Sequence, residues 1–139
     1  MSENFEKYRY LIDAAKEVAE KAYAPYSISV GSAVLTTDGK VFRGCNVENS
    51  AYGACLCAER TAVSKAVSEG YRSFQAVATI CKTAYDIWPC GICRQFISEF
   101  GIEVDIISEG KDGKLQCLKL RDLLPRHFGP DSLDKVKST

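Results

Sequence analysis

The chain has 139 residues, an ordinary length for one domain, and we expect residues 1–139 to form a single domain. Its hydrophobic residues (46%) and charged residues (26%) are in the usual proportions of a globular protein. The 18 basic and 18 acidic side chains cancel, so no positive excess is available to bind a phosphate backbone. These numbers disfavour a nucleic-acid-binding protein, and we expect small molecules or other protein chains as partners.

The N-terminal residues and the cysteines predict a cytoplasmic protein. Residues 1–6 lack the apolar core of a signal peptide, and no apolar run has the length of a membrane helix. Seven cysteines would then meet a reducing environment, where metal binding or catalysis is a commoner role than disulfide formation. Four of them, Cys45, Cys55, Cys81 and Cys117, are expected to be small buried hydrophobes.

Hydrophobic periodicity predicts alternating helices and strands. Apolar residues at steps of three and four predict a first amphipathic helix from Glu3 to Tyr23, which ends before Pro25. The predicted strands are residues 28–36, 41–46, 75–81, 103–107 and 115–118, and the later helices are residues 56–69, 90–100 and a short turn at 120–124. An Asp38-Gly39 turn joins the first two strands as a hairpin. The pattern therefore predicts a layered α/β domain with a mixed sheet and a polar C-terminal tail.

Two short segments offer thiol ligands at the spacing that binds one metal ion. Cys90 and Cys93 form a C-x-x-C pair, and Cys57 lies upstream of it at the start of another predicted helix. Helix N-termini carry partial positive charge and spare N–H donors, which lower the pKa of a thiol. We predict that Cys57, Cys90 and Cys93 bind one zinc ion with a fourth position open to water, as in catalytic sites. The alternative is a closed structural site, for which Cys55 is the one local candidate, since the lone His127 lies in the C-terminal segment.

Two charged residues follow Cys57 at the same helix start. Glu59 lies near the predicted metal without needing to bind it, and is a candidate to move protons between water and substrate. Its alternative role is that of an acid that stabilises the helix dipole. Arg60 is predicted to donate hydrogen bonds to the ligand sulfurs and offset the negative charge of three thiolates. Its alternative is an ordinary solvent-facing position.

These segments also resemble a known family. Cys57-Ala58-Glu59-Arg60 together with Pro89-Cys90-Gly91-Ile92-Cys93 is similar to the signature of the zinc nucleoside and nucleobase deaminases, H/C-x-E followed by P-C-x-x-C. Among them the chain most resembles the small cytidine deaminases with three cysteine ligands. The likeness extends over nearly the whole chain through Pro25-Tyr26-Ser27, Val30-Gly31, Asn46-Val47-Glu48-Asn49, Tyr52 and Leu123-Leu124-Pro125.

The resemblance implies a fold, an activity and an assembly. The fold is a three-layer α/β/α sandwich around a mixed five-stranded sheet. The activity is that of a hydrolase acting on the C–N bond of a cyclic amidine, which deaminates cytidine and deoxycytidine in pyrimidine salvage. Glu59 is then the catalytic proton carrier, one Zn²⁺ is bound per subunit, and the subunits form a homotetramer.

The resemblance also implies how a nucleoside is held. Asn46 and Glu48 are two residues apart on an extended stretch, hence on one face, and are implied to hold the ribose hydroxyls. The alternative for both is loop capping. Ala58 is implied to bond the base through its backbone. Tyr52 and Phe128 are implied to reach the pocket of a neighbouring subunit, with ordinary core or interface packing as the alternative.

One segment departs from the family pattern. The stretch after Pro25-Tyr26-Ser27 is one residue shorter than is typical, and Ile28 stands nearest the place of an aromatic that stacks on the base. An isoleucine can pack on a ring face but does not supply aromatic stacking. We therefore expect Ile28 to contact the base and to alter base affinity.

Three rival functions fit parts of the pattern. A thiol redox protein would use the C-x-x-C pair at a helix start, but it leaves Cys57 and Glu59 unexplained. A non-catalytic zinc module would use the cysteines only to assemble with partners. Within the deaminases, the alternative is an enzyme for another aminopyrimidine nucleoside such as a blasticidin-type antibiotic, against which Asn46 and Glu48 favour an ordinary nucleoside.

Overall fold

The structure is a computed structural model that describes residues 4–137. These residues form five strands and five helices, and 3-10 turns lie at Glu6–Tyr8 and Tyr52–Ala54. The strands are β1 (Val30–Thr36), β2 (Val41–Cys45), β3 (Phe74–Cys81), β4 (Asp105–Glu109) and β5 (Leu115–Lys119). The helices are α1 (Arg9–Ala19), α2 (Ala58–Ser68), α3 (Gly91–Ser98), α4 (Leu120–Leu123) and α5 (Pro130–Lys137).

The strands form one mixed sheet in the order β2-β1-β3-β4-β5. β1 pairs antiparallel with both β2 and β3, and β4 pairs antiparallel with β5. β3 and β4 are the parallel pair, joined by the crossover that contains α3. The predicted hairpin and the mixed five-stranded sheet are therefore confirmed.

Helices cover both faces of the sheet. The apolar side of α1 packs on one face, where Leu11 and Ile12 meet the β1 and β3 side chains Ala33 and Ala78. On the opposite face, Ala62 and Val63 of α2 and Ile97 of α3 pack against alternate residues of the same strands, including Val34 and Val77. Because side chains alternate along β1 and β3, these two strands contribute residues to the hydrophobic core on each face of the sheet. The three-layer α/β/α sandwich is confirmed.

Two glycines let helices approach the sheet more closely than any side chain would permit. A Cβ at Gly31 would lie 1.9 Å from the carbonyl oxygen of Ala15 in α1. A Cβ at Gly44 would lie 2.3 Å from the backbone nitrogen of Ala62 and 2.7 Å from the carbonyl oxygen of Ala58, both in α2. Gly44 therefore sets the height at which the first turn of α2, with its functional residues, lies over the sheet.

The first helix is shorter than predicted. α1 covers Arg9–Ala19, a 3-10 turn precedes it, and the predicted start at Glu3 lies outside the described residues. At the other end the backbone N–H of Tyr23 donates to the carbonyl of Asn46 (3.1 Å), so the chain leaves the helix to pair with the segment after β2. Helical periodicity could not reveal this long-range pairing.

The C-terminal tail contains a helix that the sequence analysis missed. α5 begins at Pro130, a favoured first helical position because proline has no N–H to leave unpaired. In residues 4–137 no helix is both long and apolar enough to cross a membrane.

Candidate active site

Three cysteine sulfurs converge at the starts of two helices. Cys57 is the N-cap residue of α2, Cys90 is the N-cap residue of α3, and Cys93 lies in the first turn of α3. Their Sγ atoms all lie within 4.8 Å of one another, and those of Cys57 and Cys90 are 4.0 Å apart. The cluster joins two helices on the same face of the sheet, as the sequence predicted.

The donor set fits a zinc ion. Zn²⁺ binds thiolates at about 2.3 Å in a tetrahedron, which requires sulfurs about 3.8 Å apart. Hydrogen bonds with the Cys93 thiol and from Arg60 outweigh the effect of burial and lower the pKa of Cys57 to about 5, which favours its thiolate. The pKa of Cys93 is raised because its proton is shared with Cys57 and its thiol is buried. Three soft sulfur ligands at this spacing are a donor set that zinc prefers.

The two residues considered for closing the site lie elsewhere. The sulfur of Cys55 accepts a hydrogen bond from the Asn49 backbone N–H (3.2 Å), and the His127 ring lies against Gly129. Within residues 4–137 the cluster that can hold a metal contains neither of them. The site therefore has three thiol ligands and room for a non-protein fourth.

Arg60 lies against the cluster. Its Nη2 atom donates to the Cys57 sulfur (3.4 Å) and to the Cys55 carbonyl (3.3 Å), whereas its buried Nε has no partner among residues 4–137. The hydrogen bond to Cys57 raises the pKa of Arg60, which keeps the guanidinium charged beside the sulfurs. The structure thus brings Arg60 to the ligands, as predicted.

Glu59 is buried at the same helix start. Only 4% of its surface is exposed, which is rare for a carboxylate and distinguishes it from an ordinary acid at a helix N-terminus. Burial raises its pKa to about 7, and the negative charge of Cys57 adds to this effect, whereas the Glu59 backbone N–H opposes it. A carboxyl group with this pKa can both take up and release a proton near neutral pH.

A pocket of about 260 Å³ connects the cluster with the segment after β2. Four of its residues form two hydrogen-bonded pairs, Ser27 with Glu48 and Val30 with Asn46, at the turn before β1 and the segment after β2. The others are Cys55, Leu56, Cys57, Ala58, Glu59 and Cys90 around the helix starts, with Thr79 and Ile87. The predicted residues Asn46, Glu48, Ala58 and Glu59 therefore share one pocket with Cys57 and Cys90 of the metal-binding cluster.

Three predicted contact residues do not line this pocket. Ile28, Tyr52 and Phe128 are 45%, 74% and 55% exposed. The Asn46 side chain holds the backbone of the turn on both sides of Ser29, accepting from the Val30 N–H (2.9 Å) and donating to the Ile28 carbonyl (3.0 Å). With its backbone held in this way, the turn leaves the Ile28 side chain exposed. Ile28 does not line the pocket of its own chain, and its contact with the base stays a prediction.

Several residues that line the pocket were not predicted from the sequence to be site residues. Ser27, Val30 and Ile87 carry no chemical signature, and their placement depends on loops. Thr79 could have been found, because strand alternation places it on the same face of β3 as the core residue Val77.

A larger cavity, of about 500 Å³, lies between α1 and the loop after β3, away from the metal ligands and Glu59. Its lysines, Lys16 and Lys82, are paired with Glu109 and Glu20. The cavity therefore offers no free positive charge from these two lysines, and the smaller pocket is the better candidate site.

Comparison with known proteins assigns these features to a family. The chain is 44% identical over 125 residues to a cytidine deaminase of Sporosarcina psychrophila, covering 88% of this chain and 92% of that one. It is 45% identical over 133 residues to a probable cytidine deaminase of Dictyostelium discoideum, with coverages of 94% and 89%. A crystal structure of cytidine deaminase from Burkholderia pseudomallei superposes with a TM-score of 0.81 at 48% identity, covering 86% of this chain and 98% of that one.

A more distant relative bears on the alternative substrate. The chain is 27% identical over 126 residues to a blasticidin-S deaminase of Bacillus cereus, covering 85% of this chain and 89% of that one. The sequence model described as the cytidine and deoxycytidylate deaminase zinc-binding region matches residues 5–109, which include the three cysteines, Glu59 and the pocket. The chain therefore belongs to the cytidine and deoxycytidylate deaminase family.

Proposed function

We propose that this protein hydrolyses cytidine and deoxycytidine to uridine and deoxyuridine, with release of ammonia, in a single domain formed by residues 1–139. The observation that carries the proposal is one pocket shared by a zinc-competent cysteine cluster, a buried proton-exchanging carboxyl group and a polar pair suited to a sugar. Family membership supports the reaction, and the relatives at 40–45% identity bear the name cytidine deaminase.

Cys57, Cys90 and Cys93 would hold one Zn²⁺ per subunit, and Arg60 would offset part of their negative charge. When bound, zinc acts as a Lewis acid that lowers the pKa of a water ligand towards roughly 7. The thiolate of Cys57 is already favoured by its partners Cys93 and Arg60, so the chain is prepared to bind a cation.

Glu59 would carry the protons of the reaction. The reaction replaces the amino group at C4 of the pyrimidine by oxygen from water, so one proton must reach the neighbouring ring nitrogen and another the departing amine. With a pKa of about 7, Glu59 can accept one proton from the water and pass it to the ring nitrogen, and then take the second proton from the oxygen now bonded to C4 and pass it to the amine, which leaves as ammonia. Its burial keeps bulk water from competing for the proton.

Asn46 and Glu48 would hold the sugar through one hydroxyl. Oε1 of Glu48 accepts from the backbone N–H groups of Tyr26 (2.8 Å) and Ser27 (3.1 Å), and Oε2 accepts from the Ser27 hydroxyl. A carboxylate has about four acceptor sites, so one remains; the Asn46 amide, bonded to Val30 and Ile28, has one further N–H. One hydroxyl can accept from Asn46 and donate to Glu48. A hydroxyl common to ribose and deoxyribose satisfies this arrangement, which is why we propose both nucleosides.

Ala58 would contribute its backbone N–H to the base. It is the first residue of α2, where N–H groups have no partner within the helix, and it lines the pocket beside Glu59. Its methyl side chain offers no polar group, so a polar contact has to come from the backbone.

The direct test is the loss of the ultraviolet absorbance of cytidine and of deoxycytidine with purified protein. We expect turnover of both nucleosides that stops when a chelator removes zinc and returns when zinc is restored. Absence of turnover on either nucleoside, or turnover of a blasticidin-type antibiotic alone, would overturn the proposal. Stoichiometric zinc that shields the cysteines from alkylation separates this function from a thiol redox protein.

We further propose that Ile28, Tyr52 and Phe128 act between subunits of a homotetramer. Their exposure supports this, as does the edge-on contact of the Tyr26 and Tyr52 rings (centroids 5.9 Å apart), because exposed apolar and aromatic groups are common at interfaces. Light scattering should give four times the subunit mass of 15.3 kDa. If Phe128 serves a neighbour's pocket, mixed assemblies of Phe128→Ser and Glu59→Gln subunits should recover activity that neither has alone. A monomer with full activity would refute the assembly.

We place the protein in the cytoplasm, in pyrimidine salvage. All seven cysteines are free thiols, and the proposed zinc site needs its three ligands reduced. Detection of the native protein in the soluble cytosolic fraction, and slower growth on cytidine when it is absent, are the expected results.

A further inference from the structure

Thr79 carries a buried hydroxyl that the proposed reaction does not yet use. It lies on β3, is 1% exposed and lines the active-site pocket. Within residues 4–137 its Oγ1 has no hydrogen-bond partner. Buried polar groups are nearly always bonded, and an unbonded one in a pocket calls for a partner that comes from outside the chain.

The neighbouring hydroxyl shows that this is a feature of Thr79 and not of the sheet. Ser32, directly opposite Thr79 on β1, donates its hydroxyl proton to the carbonyl of Ala78 (2.8 Å). Thr36, further along β1 and fully buried, bonds Asp38 (2.5 Å) and the Lys40 N–H (2.9 Å). These two hydroxyls have protein partners, whereas that of Thr79 has none among the described residues.

The strand register places Thr79 in the same row of the sheet as the residue on which the first turn of α2, with Glu59, packs. Gly44 pairs with Ser32, and Ser32 pairs with Thr79, so the three residues form one row across β2, β1 and β3. The first turn of α2, which carries Glu59, rests on Gly44. Thr79 also borders the larger cavity, but strand alternation puts its side chain on the face covered by α2 and α3. The Thr79 hydroxyl therefore lies at the bottom of the pocket, on the side where Glu59 is located.

We propose that Thr79 is a further substrate-contacting residue, whose hydroxyl accepts a hydrogen bond from the exocyclic amino group of the bound nucleoside. This inference rests on the proposed function. A hydroxyl is both donor and acceptor and can rotate, so it can bond the amino group before the reaction and donate to the carbonyl oxygen that replaces it. An apolar side chain of the same shape could do neither.

The test compares Thr79→Val, which replaces only the hydroxyl by a methyl group, with Thr79→Ser, which keeps the hydroxyl. We expect Thr79→Val to raise KM for cytidine about three- to tenfold, the effect of one neutral hydrogen bond, with kcat within about twofold of wild type. Thr79→Ser should restore most of the wild-type KM. In the Glu59→Gln background, calorimetry should show the same weakening of cytidine binding when Thr79→Val is added.

Thr36→Val is the matched control, because it removes a buried hydroxyl whose partners are in the protein. It should lower the unfolding midpoint and leave KM unchanged, whereas Thr79→Val should leave the midpoint and the zinc content unchanged. An unchanged KM and binding constant in Thr79→Val, or equal losses in Thr79→Val and Thr79→Ser, would overturn the role of Thr79. An inactive wild-type protein would instead overturn the proposed function, and the inference with it.

Discussion

Glu59 is the side chain on which the proposed chemistry depends most directly. Glu59→Gln keeps the shape of the side chain but removes its ability to exchange protons. We expect kcat for cytidine to fall at least about 100-fold, because general acid–base catalysis contributes that much or more. The absorbance assay measures the loss, and unchanged zinc content and unfolding midpoint show that the site is intact. Glu69→Gln, at the exposed far end of the same helix, is the control and should be silent; full turnover by Glu59→Gln would refute the catalytic role.

Arg60 stabilises the metal site through the sulfur of Cys57. Arg60→Ala removes the hydrogen bond and the positive charge, and we expect zinc affinity to fall about 10- to 100-fold, the usual effect of losing such a partner. Competition with a chromophoric chelator measures this affinity without turnover. Arg43→Ala, which breaks an exposed ion pair with Glu17, serves as the control. Equal zinc affinity in Arg60→Ala and wild type would contradict the assignment.

At the scale of single residues, the sequence predicts which side chains are suited to bind metal or transfer protons better than it predicts which side chains touch one another. Cysteines and a carboxylate at helix starts have few alternative uses, so Cys57, Cys90, Cys93 and Glu59 could be assigned from spacing. The base contact of Ile28 is a prediction from its position relative to the family pattern, which carries no information on where the side chain points. That orientation depends on Asn46 holding the adjacent backbone, a contact between residues eighteen apart that no local pattern contains.

Among the elements, α2 and α1 rest on the sheet through one glycine each, and these positions can be tested as a pair. Gly44→Ala would force α2 away from β2, and Gly31→Ala would force α1 away from β1 on the opposite face. Each should lower the free energy of unfolding by about 1–3 kcal/mol, the usual effect of overpacking. Only Gly44→Ala should also weaken zinc binding and turnover, because α2 carries Cys57 and Glu59. Equal effects of the two variants on zinc affinity would show that α2 height does not control the site.

Element types were predicted well where periodicity is strong, and their ends were predicted poorly. β1 and β3 have continuous apolar runs, and both were identified. α1 ends before the predicted position because Tyr23 pairs with Asn46, and α5 was missed because its polar residues carry little amphipathic signal. Tertiary pairing and solvent exposure decide these cases, and neither is encoded in a local window.

At the scale of the whole molecule, Asp105 on β4 connects the N-terminal segment with the edge strand β5. Its carboxylate accepts from the Tyr8 hydroxyl (2.6 Å) and pairs with Lys119 (2.7 Å). Burial alone would raise the pKa of Asp105, but the hydrogen bonds from Lys119 and Tyr8 outweigh it and hold the pKa below 3.8. The ionised carboxylate therefore stabilises the folded chain above about pH 4.

Because the folded-state pKa of Asp105 is lowered, this stabilisation is present above the unfolded-state pKa and is lost as the pH falls through the folded-state value. Asp105→Asn should be less stable than wild type at pH 7, and the difference should shrink in acid. Urea unfolding between pH 7 and pH 3 measures both. A stability difference independent of pH would contradict the assignment.

Because the sulfur ligands lie on both α2 and α3, a bound zinc ion would also cross-link these two helices. Cys57 and Cys90 are 33 positions apart, and β3 lies within the stretch that they bracket. A cross-link closing a loop of that length removes about 4 kcal/mol of chain entropy from the unfolded state by the relation used for disulfides. The supply of zinc would thus govern the stability of the folded chain as well as its catalytic activity. When zinc is scarce, the zinc-free protein should unfold more readily and be degraded by proteases.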